Sequence, residues 1–314
     1  MSEFKIFYKE DHKLKVSKNI ALLKSIKLDD IIWIDMNNAS EDIKEELQDI
    51  LKIYIQKNDE IEISSRYIHL NNNLTINSFF LHSNFSLEPI SFILKGNTLI
   101  TVRLEEIKSF NETIKKVYAN PDAFSTGQQV LVSLLEVRVD YDADIIENLT
   151  EEITILSKSM GTSSEKPIGE DILIEIKDLQ EKVMIVRQNI MDKQRVVSSM
   201  LKGNLFEKEL QVRLEMIHKD INSLFEYTHF GFERLDYLQD TFLGLVNLQQ
   251  SKIIKIFTVV SVIFMPPTLI ASIYGMNFKI LPELDWQWGY AFSLSIMLLS
   301  VIIVLVLFKR KKWL

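Results

Sequence analysis

Toward the C-terminus the spacing of polar positions gives way to long uncharged runs. From Ile256 to Phe278 no residue is charged, and none is from Trp288 to Phe308. Each run is long enough to cross a hydrocarbon layer of roughly 30 Å as a helix. Between them lie only Lys279 to Gln287, with Lys279, Glu283 and Asp285 as charges. The pattern predicts two spans joined by a short extracytoplasmic loop over 275–287. The second span covers 288–308, and 309–314 is left as a basic tail.

Upstream the pattern is that of a folded soluble domain. Residues 1–122 mix strand and helix signals. The apolar stretch Ile31 to Asp35 reads as a strand, as do the β-branched and aromatic stretches Leu74 to Leu81 and Thr98 to Arg103. Lys95-Gly96-Asn97 reads as a hairpin turn. Ser40-Glu41-Asp42 opens a helix expected to run to about Ile55. From about Ser125 the period is helical. Helices at about 125–160 and 170–201 make a hairpin within 123–204, broken at Met160 to Ser164 and at Lys202 to Asn204.

A third helix starts near Leu205. After Gly203 the next proline is Pro266, and the only glycines on the way are Gly231 and Gly244. The helix is therefore expected to run unbroken over 205–274, a rod of ~105 Å, with its membrane part at about 254–274. Such a helix cannot bury its apolar side alone, so it calls for neighbouring helices or other copies. Pro266 and Pro267 fall inside the span, where a proline is tolerated as a kink supported by neighbours. The fold class this predicts is an α+β cytoplasmic domain with a long stalk helix that continues into a two-helix membrane hairpin.

Charge sharpens this division. The chain of 314 residues has 25% charged residues, too many for a polytopic membrane protein. The net charge is −7; the segment from Lys252 onward carries seven basic and two acidic residues, which leaves −12 for residues 1–251. An acidic domain repels nucleic acid and attracts cations. Lys252 and Lys255 precede the first span and four basic residues follow the second, so both termini are expected in the cytoplasm, with the hairpin in the cell (inner) membrane. Met1 to Lys13 is polar and charged, unlike a cleavable signal. There is no cysteine, hence no disulfide and no thiolate metal site. Nor is there a Gly-x-x-x-x-Gly-Lys-Ser/Thr loop, so ATP is not an expected partner, nor is an organic cofactor or an enzymatic activity. Asp140, Asp142 and Asp144 lack the rest of a calcium loop and lie in helical sequence. The five histidines are scattered and read as surface or packed residues.

Steps of four and three along the third helix pick out Asn247, Ser251, Ile254, Thr258, Ser261, Met265, Thr268 and Ser272, with Gly244 and Asp240 further back. A small-polar stripe of this kind is either a tight helix–helix seam or a surface that lines water. On spacing alone the seam is the stronger reading.

Phe264-Met265-Pro266, Thr268 and Tyr274-Gly275-Met276-Asn277-Phe278 are followed by Leu281-Pro282-Glu283-Leu284, Trp286-Gln287-Trp288-Gly289-Tyr290 and the basic end Lys309 to Leu314. This order, around two spans, resembles the CorA-type magnesium/cobalt transporter family. The close likeness covers roughly 235–314; upstream it is one of layout. The resemblance implies a homopentameric channel whose first membrane helix lines the pore, and it tips the stripe toward that role. It implies an entrance at Gly275, Met276 and Asn277, with Pro282 and Glu283 in the outer loop. The implied pore lining is Thr268, Met265, Ser261, Thr258, Ser251, Asn247 and Asp240, and Ile254 with Phe257 form an apolar gate.

A side-chain amide can hold hydrated Mg²⁺ through its waters, and Mg²⁺ sheds water reluctantly. The resemblance implies Mg²⁺ as substrate and as a regulatory ligand in the cytoplasm, with Co²⁺ and Ni²⁺ as further candidates. For the regulatory sites Glu215, Asp220, Glu105 and Glu106 are the nearest acids; Met216 stands where relatives carry an Asp. A zinc transporter of the same superfamily is the alternative, and a membrane-anchored scaffold or sensor a remote one.

Overall fold

The computed structural model describes residues 3–11, 13–57, 61, 66–70, 73–162, 170–203, 205–277 and 286–311. They divide into two compact units, the first ending at Gln239 and the second beginning at Asp240.

The first unit is built on one sheet of seven strands. In chain order these are β1 (Glu3–Glu10), β2 (Lys13–Ser17), β3 (Ile31–Asn37), β4 (Tyr67–Leu70), β5 (Asn73–Leu81), β6 (Leu87–Lys95) and β7 (Thr98–Arg103). Their spatial order is β2-β1-β3-β7-β6-β5-β4. Only β3 and β7 pair in parallel, with Trp33 opposite Leu99 and Asn37 opposite Arg103. Every residue of β3 is buried, as expected of a strand covered on both faces. The β6–β7 hairpin turns at Gly96, whose φ of 57° lies in the left-handed region where a side chain is unfavourable.

Alternation along the strands builds a core on each face. On one face Phe4, Ile6, Ile34, Met36, Ile93 and Ile100 pack with Leu47 and Leu51 of α1 (Glu41–Leu51). On the other, Phe7, Trp33, Phe80 and Phe92 form an aromatic layer with Phe110 of α2 (Lys108–Ala119). Asp35 is buried in this face. Its carboxylate accepts from Arg103 (3.2 and 2.9 Å) and from Thr101 (2.8 Å), so the charge is paired rather than orphaned.

Three more helices complete the unit: α3 (Gly127–Thr162), α4 (Glu170–Lys202) and the first part of α5 (Lys208–Tyr274). α4 is tied to the sheet by charge. Asp192 pairs with Arg66 at 2.6 Å and accepts from Ser78 (2.9 Å) and the Phe79 amide (3.1 Å). Asp142 of α3 is buried between Arg138 and Lys193, the latter at 2.9 Å and itself fully buried. Burial pushes the Lys193 ammonium down to about 8, and the Asp142 carboxylate opposes that shift. On α5, Leu210, Leu214, Ile217, Ile221, Leu224, Leu235 and Leu238 are buried at helical spacing. Arg213 holds Glu136 of α3 with two hydrogen bonds, 2.8 and 2.6 Å.

The second unit carries the rest of α5 and α6 (Gly289–Arg310), and both helices contain stretches long and apolar enough to cross a membrane.

Several boundaries differ from the sequence reading. The polar, charged N-terminus forms β1, which pairs with both β2 and β3 and buries Phe4, Ile6 and Phe7. α1 stops at Leu51 rather than Ile55, because Lys52 adopts a left-handed cap at φ 47° and Ile53 and Ile55 turn into the core. α5 starts at Lys208 rather than Leu205; Phe206 is buried ahead of it, its carbonyl accepting from Gln211 at 2.9 Å. Lys309 and Arg310 belong to the last turn of α6 and not to a tail, a favourable place for cations at the negative end of a helix.

Two expectations follow from this packing. α3 begins at Gly127, whose N–H donates to Asn97 at 2.5 Å. A Cβ there would lie 2.1 Å from the Leu99 nitrogen and 2.7 Å from the Thr98 carbonyl carbon, both backbone atoms. Gly127→Ala is expected to destabilise the unit by ~3 kcal/mol or more; an unchanged melting temperature of the full chain in detergent would contradict the close approach. Lys193 binds its proton more weakly folded than unfolded, where its value is 10.5. Its contribution is therefore fully present above 10.5 and is lost as pH falls through about 8. The melting temperature of the wild type, relative to Lys193→Met, should rise as pH is taken from 7.5 to 9.5; parallel curves would show that Lys193 does not titrate in that window.

Candidate functional site

The stripe read from the sequence runs along one side of α5. Asp240, Asn247, Ser251, Ile254, Thr258, Ser261, Met265, Thr268 and Ser272 are all exposed. The apolar pair is as open as its polar neighbours, Ile254 at 65% and Phe257 at 70%. The less exposed positions are Val259, Val262, Ile263, Pro266, Pro267, Ile270 and Tyr274. At about 100° per residue these centre on nearly the opposite side of the helix. On α6 the less exposed positions also share a side: Gly289, Ser293, Ile296, Met297, Ser300, Val301, Val304 and Phe308. Within this chain, then, the small-polar side of α5 is not the shielded one.

Two of the hydroxyls on that side are engaged within the helix. Thr258 Oγ1 donates to the Ile254 carbonyl at 2.8 Å, and Thr268 Oγ1 to the Phe264 carbonyl at 2.7 Å. Such back-bonding spends the hydroxyl proton on the carbonyl four residues back. Pro266 and Pro267 sit within α5, which continues through them.

α5 ends at Tyr274. The amides of Gly275 and Met276 close its last turn on Ala271 (2.9 Å) and Ile273 (3.3 Å). A Cβ on Gly275 would come within 3.2 Å of the Ala271 carbonyl oxygen, and its φ is not in the left-handed region. The glycine thus relieves crowding at the helix end rather than supplying a left-handed turn. Asn277 follows, exposed and outside the helix. Pro282 and Glu283 lie outside the described residues. Trp286, Trp288 and Tyr290, at the start of α6, are exposed, as an interfacial aromatic belt requires.

The four acids considered for regulation fall in two places. Glu105 and Glu106 follow β7, while Glu215 and Asp220 lie on α5, and all are exposed. Glu106 accepts from Asn111 at 2.7 Å. Among the described residues no metal-capable cluster joins the two pairs. Asp140 of α3, not singled out for this role, belongs near Asp220: burial pushes its carboxyl up, Lys116 opposes, and Glu136, Asp144 and Asp220 add to the rise. Asp140, Asp142 and Asp144 are helical, as the sequence indicated. The sequence calls for neighbours along this helix without naming the residues that meet them. Val212, Met216, Tyr227, Phe230 and Tyr237 are exposed on α5 of the first unit, each at least half open. Their spacing is helical, but only the fold shows that neither α3 nor α4 covers them.

The chain can now be set beside known proteins. A magnesium transport protein CorA of Wolinella succinogenes is 39% identical over 217 residues, 69% of this chain and 67% of that protein. The protein of the same name from Campylobacter jejuni is 36% identical over 218 residues, 69% and 67% of the two chains. The complete structure of the CorA magnesium transporter from Methanocaldococcus jannaschii superposes with a TM-score of 0.83 over 99% of both chains at 20% identity, a likeness of fold. Residues 29–310 match the family model described as CorA-like Mg²⁺ transporter protein, which takes in strands β3 to β7, helices α1 to α6 and the stripe on α5, and the chain therefore belongs to the CorA-like Mg²⁺ transporter family.

Proposed function

We propose that the chain carries Mg²⁺ across a membrane as a channel of identical subunits, with the small-polar side of α5 lining the path. The observation that carries this reading is the exposure of that side, from Asp240 to Ser272, opposite the shielded one. Seryl, threonyl and asparaginyl groups facing lipid would be costly; facing copies of themselves around an axis they can face water.

In such an arrangement Asn277 supplies one amide per subunit at the outer end, with Gly275 and Met276 beside it. Neutral amide oxygens hold an ion through its hydration shell without binding it too tightly to leave. Thr268, Met265, Ser261, Thr258, Ser251 and Asn247 continue the path, and Asp240 adds a ring of carboxylates at its inner end. Ile254 and Phe257 interrupt the polar lining, and a ring of large apolar side chains gates by excluding water. The membrane potential supplies about 2.3 kcal/mol per charge per 100 mV, twice that for a divalent ion, so no other energy source is required. Co²⁺ and Ni²⁺ are further candidate ions. The exposed apolar residues Val212, Met216, Tyr227, Phe230 and Tyr237 are where neighbouring subunits would meet, and five copies is the number the family resemblance implies. Both termini are placed in the cytoplasm. Cytoplasmic Mg²⁺ is proposed to act on the acids around Asp220 and Glu215, where burial and the neighbouring acids raise the Asp140 carboxyl above its ordinary value; Glu106 is the outlying candidate.

Asn277→Ala removes the amide oxygen from an exposed position past the helix end, so folding should be preserved. In liposomes its Mg²⁺ uptake is expected to fall at least ~10-fold at unchanged oligomer yield, and wild-type flux would place selection elsewhere. Tyr227→Glu with Phe230→Glu should shift the mass in mild detergent, read by light scattering, from five copies toward one. A wild type that is a monodisperse monomer would sink the shared-path reading.

A further inference from the structure

Away from the membrane unit, three side chains at the ends of successive strands converge at one end of the sheet. His82 follows β5, Glu88 lies in β6 and Glu105 follows β7. His82 Nε2 is 2.9 Å from Glu88 Oε2 and 3.4 Å from Glu105 Oε2. One ligand atom of each residue lies within 4.8 Å of those of the other two. Ligands around a tetrahedral ion at ~2.1 Å sit ~3.4 Å from one another, so the group needs little movement to close on a cation.

The group is also held in place. Glu88 is buried, and its other oxygen, Oε1, accepts from the amides of Leu104 and Glu105, both at 2.6 Å. Arg103, itself paired with Asp35, donates to the Glu105 carbonyl at 2.6 Å. These bonds aim Glu88 Oε2 at His82 and fix the backbone of Glu105. Outer contacts of this kind orient the ligands of metal sites. One imidazole nitrogen faces two carboxylates, yet it carries a single proton to share between them. A divalent cation in that proton's place would reach all three and cancel both negative charges.

We infer that His82, Glu88 and Glu105 form a binding site for one first-row transition cation, of the Zn²⁺, Co²⁺ or Ni²⁺ class, in each protomer. Imidazole sets the class. Mg²⁺ prefers an octahedron of oxygens and keeps its waters, whereas a nitrogen beside two carboxylates suits zinc and its neighbours. Solvent reaches the site past Glu105, whose side chain is 69% exposed, leaving room for water as a fourth ligand. The site lies within a single protomer of the first unit and does not depend on the proposed ion path. His82, a surface or packed residue by sequence, becomes the ligand that distinguishes this site from the oxygen-only acids elsewhere.

The test is a titration of the full chain in detergent with Zn²⁺, and separately with Co²⁺, in excess Mg²⁺ to fill oxygen-only sites. The wild type should bind one more ion per protomer than His82→Ala or Glu105→Gln, with Co²⁺ giving the visible absorption of a nitrogen-ligated centre. Both variants should lose that absorption and bind at least ~10-fold more weakly. Glu105→Gln alters an exposed side chain, and an unchanged elution volume and melting temperature without metal verify its fold. Equal stoichiometry and affinity in wild type and both variants would overturn the site. Displacement of the bound ion by millimolar Mg²⁺ would overturn its assignment to the transition metals.

Discussion

Hydrocarbon offers no hydrogen-bond partners, and that constraint organises the second unit down to single side chains. α5 and α6 satisfy their amides internally, as any lipid-embedded helix must. The hydroxyls of α6 follow the same rule: Ser293, Ser295 and Ser300 donate to carbonyls three or four residues back at 2.9, 2.7 and 2.7 Å. Pro266 and Pro267 are the exceptions. Each withdraws one amide, leaving the carbonyls of Val262 and Ile263 without their usual partners four residues on. Both of these residues lie among the less exposed positions of α5, where a neighbouring helix can compensate.

The first unit obeys a different constraint. Its sheet is covered on both faces, so every charge it buries needs a counter-charge. Asp35 has Arg103, Asp192 has Arg66, and Asp142 has Arg138 and Lys193. Breaking one of these pairs would leave an isolated buried charge, at a cost of about 3–5 kcal/mol. All three link separate elements: β3 to β7, α4 to the segment before β4, and α3 to α4. They fix one arrangement of the layers where apolar contacts alone would tolerate several.

Features that repeat along the chain were legible in the sequence. Uncharged length marked α5 and α6, and the small-polar stripe was visible in steps of four and three. β3 and β7 stood out because strands buried on both faces are apolar throughout. β1 did not, since Glu3, Lys5, Lys9 and Glu10 mask the three residues it buries. α2 escaped notice because its buried side includes Ser109 and Thr113, polar residues that the fold encloses. The end of α1 turned on a left-handed Lys52, a conformation that a lysine does not advertise. The group of His82, Glu88 and Glu105 was invisible for a more general reason. Its residues are neighbours only through the pairing of β5 with β6 and of β6 with β7, and no local spacing encodes that. Of the proposed path, the residues could be named from sequence, but the openness of their side of α5 is a property of the folded chain.

The back-bonded hydroxyls of α5 have one more chemical effect. A threonine that gives its only proton to its own helix turns outward nothing but lone pairs. Thr258 and Thr268 therefore offer acceptors and no donors on the open side of the helix. Water around a cation points its hydrogens away from the ion, and water around an anion points its oxygens away. A wall of acceptors receives the first kind of hydration shell and meets the second oxygen to oxygen. Such a surface can tell the sign of a hydrated ion without carrying any charge of its own.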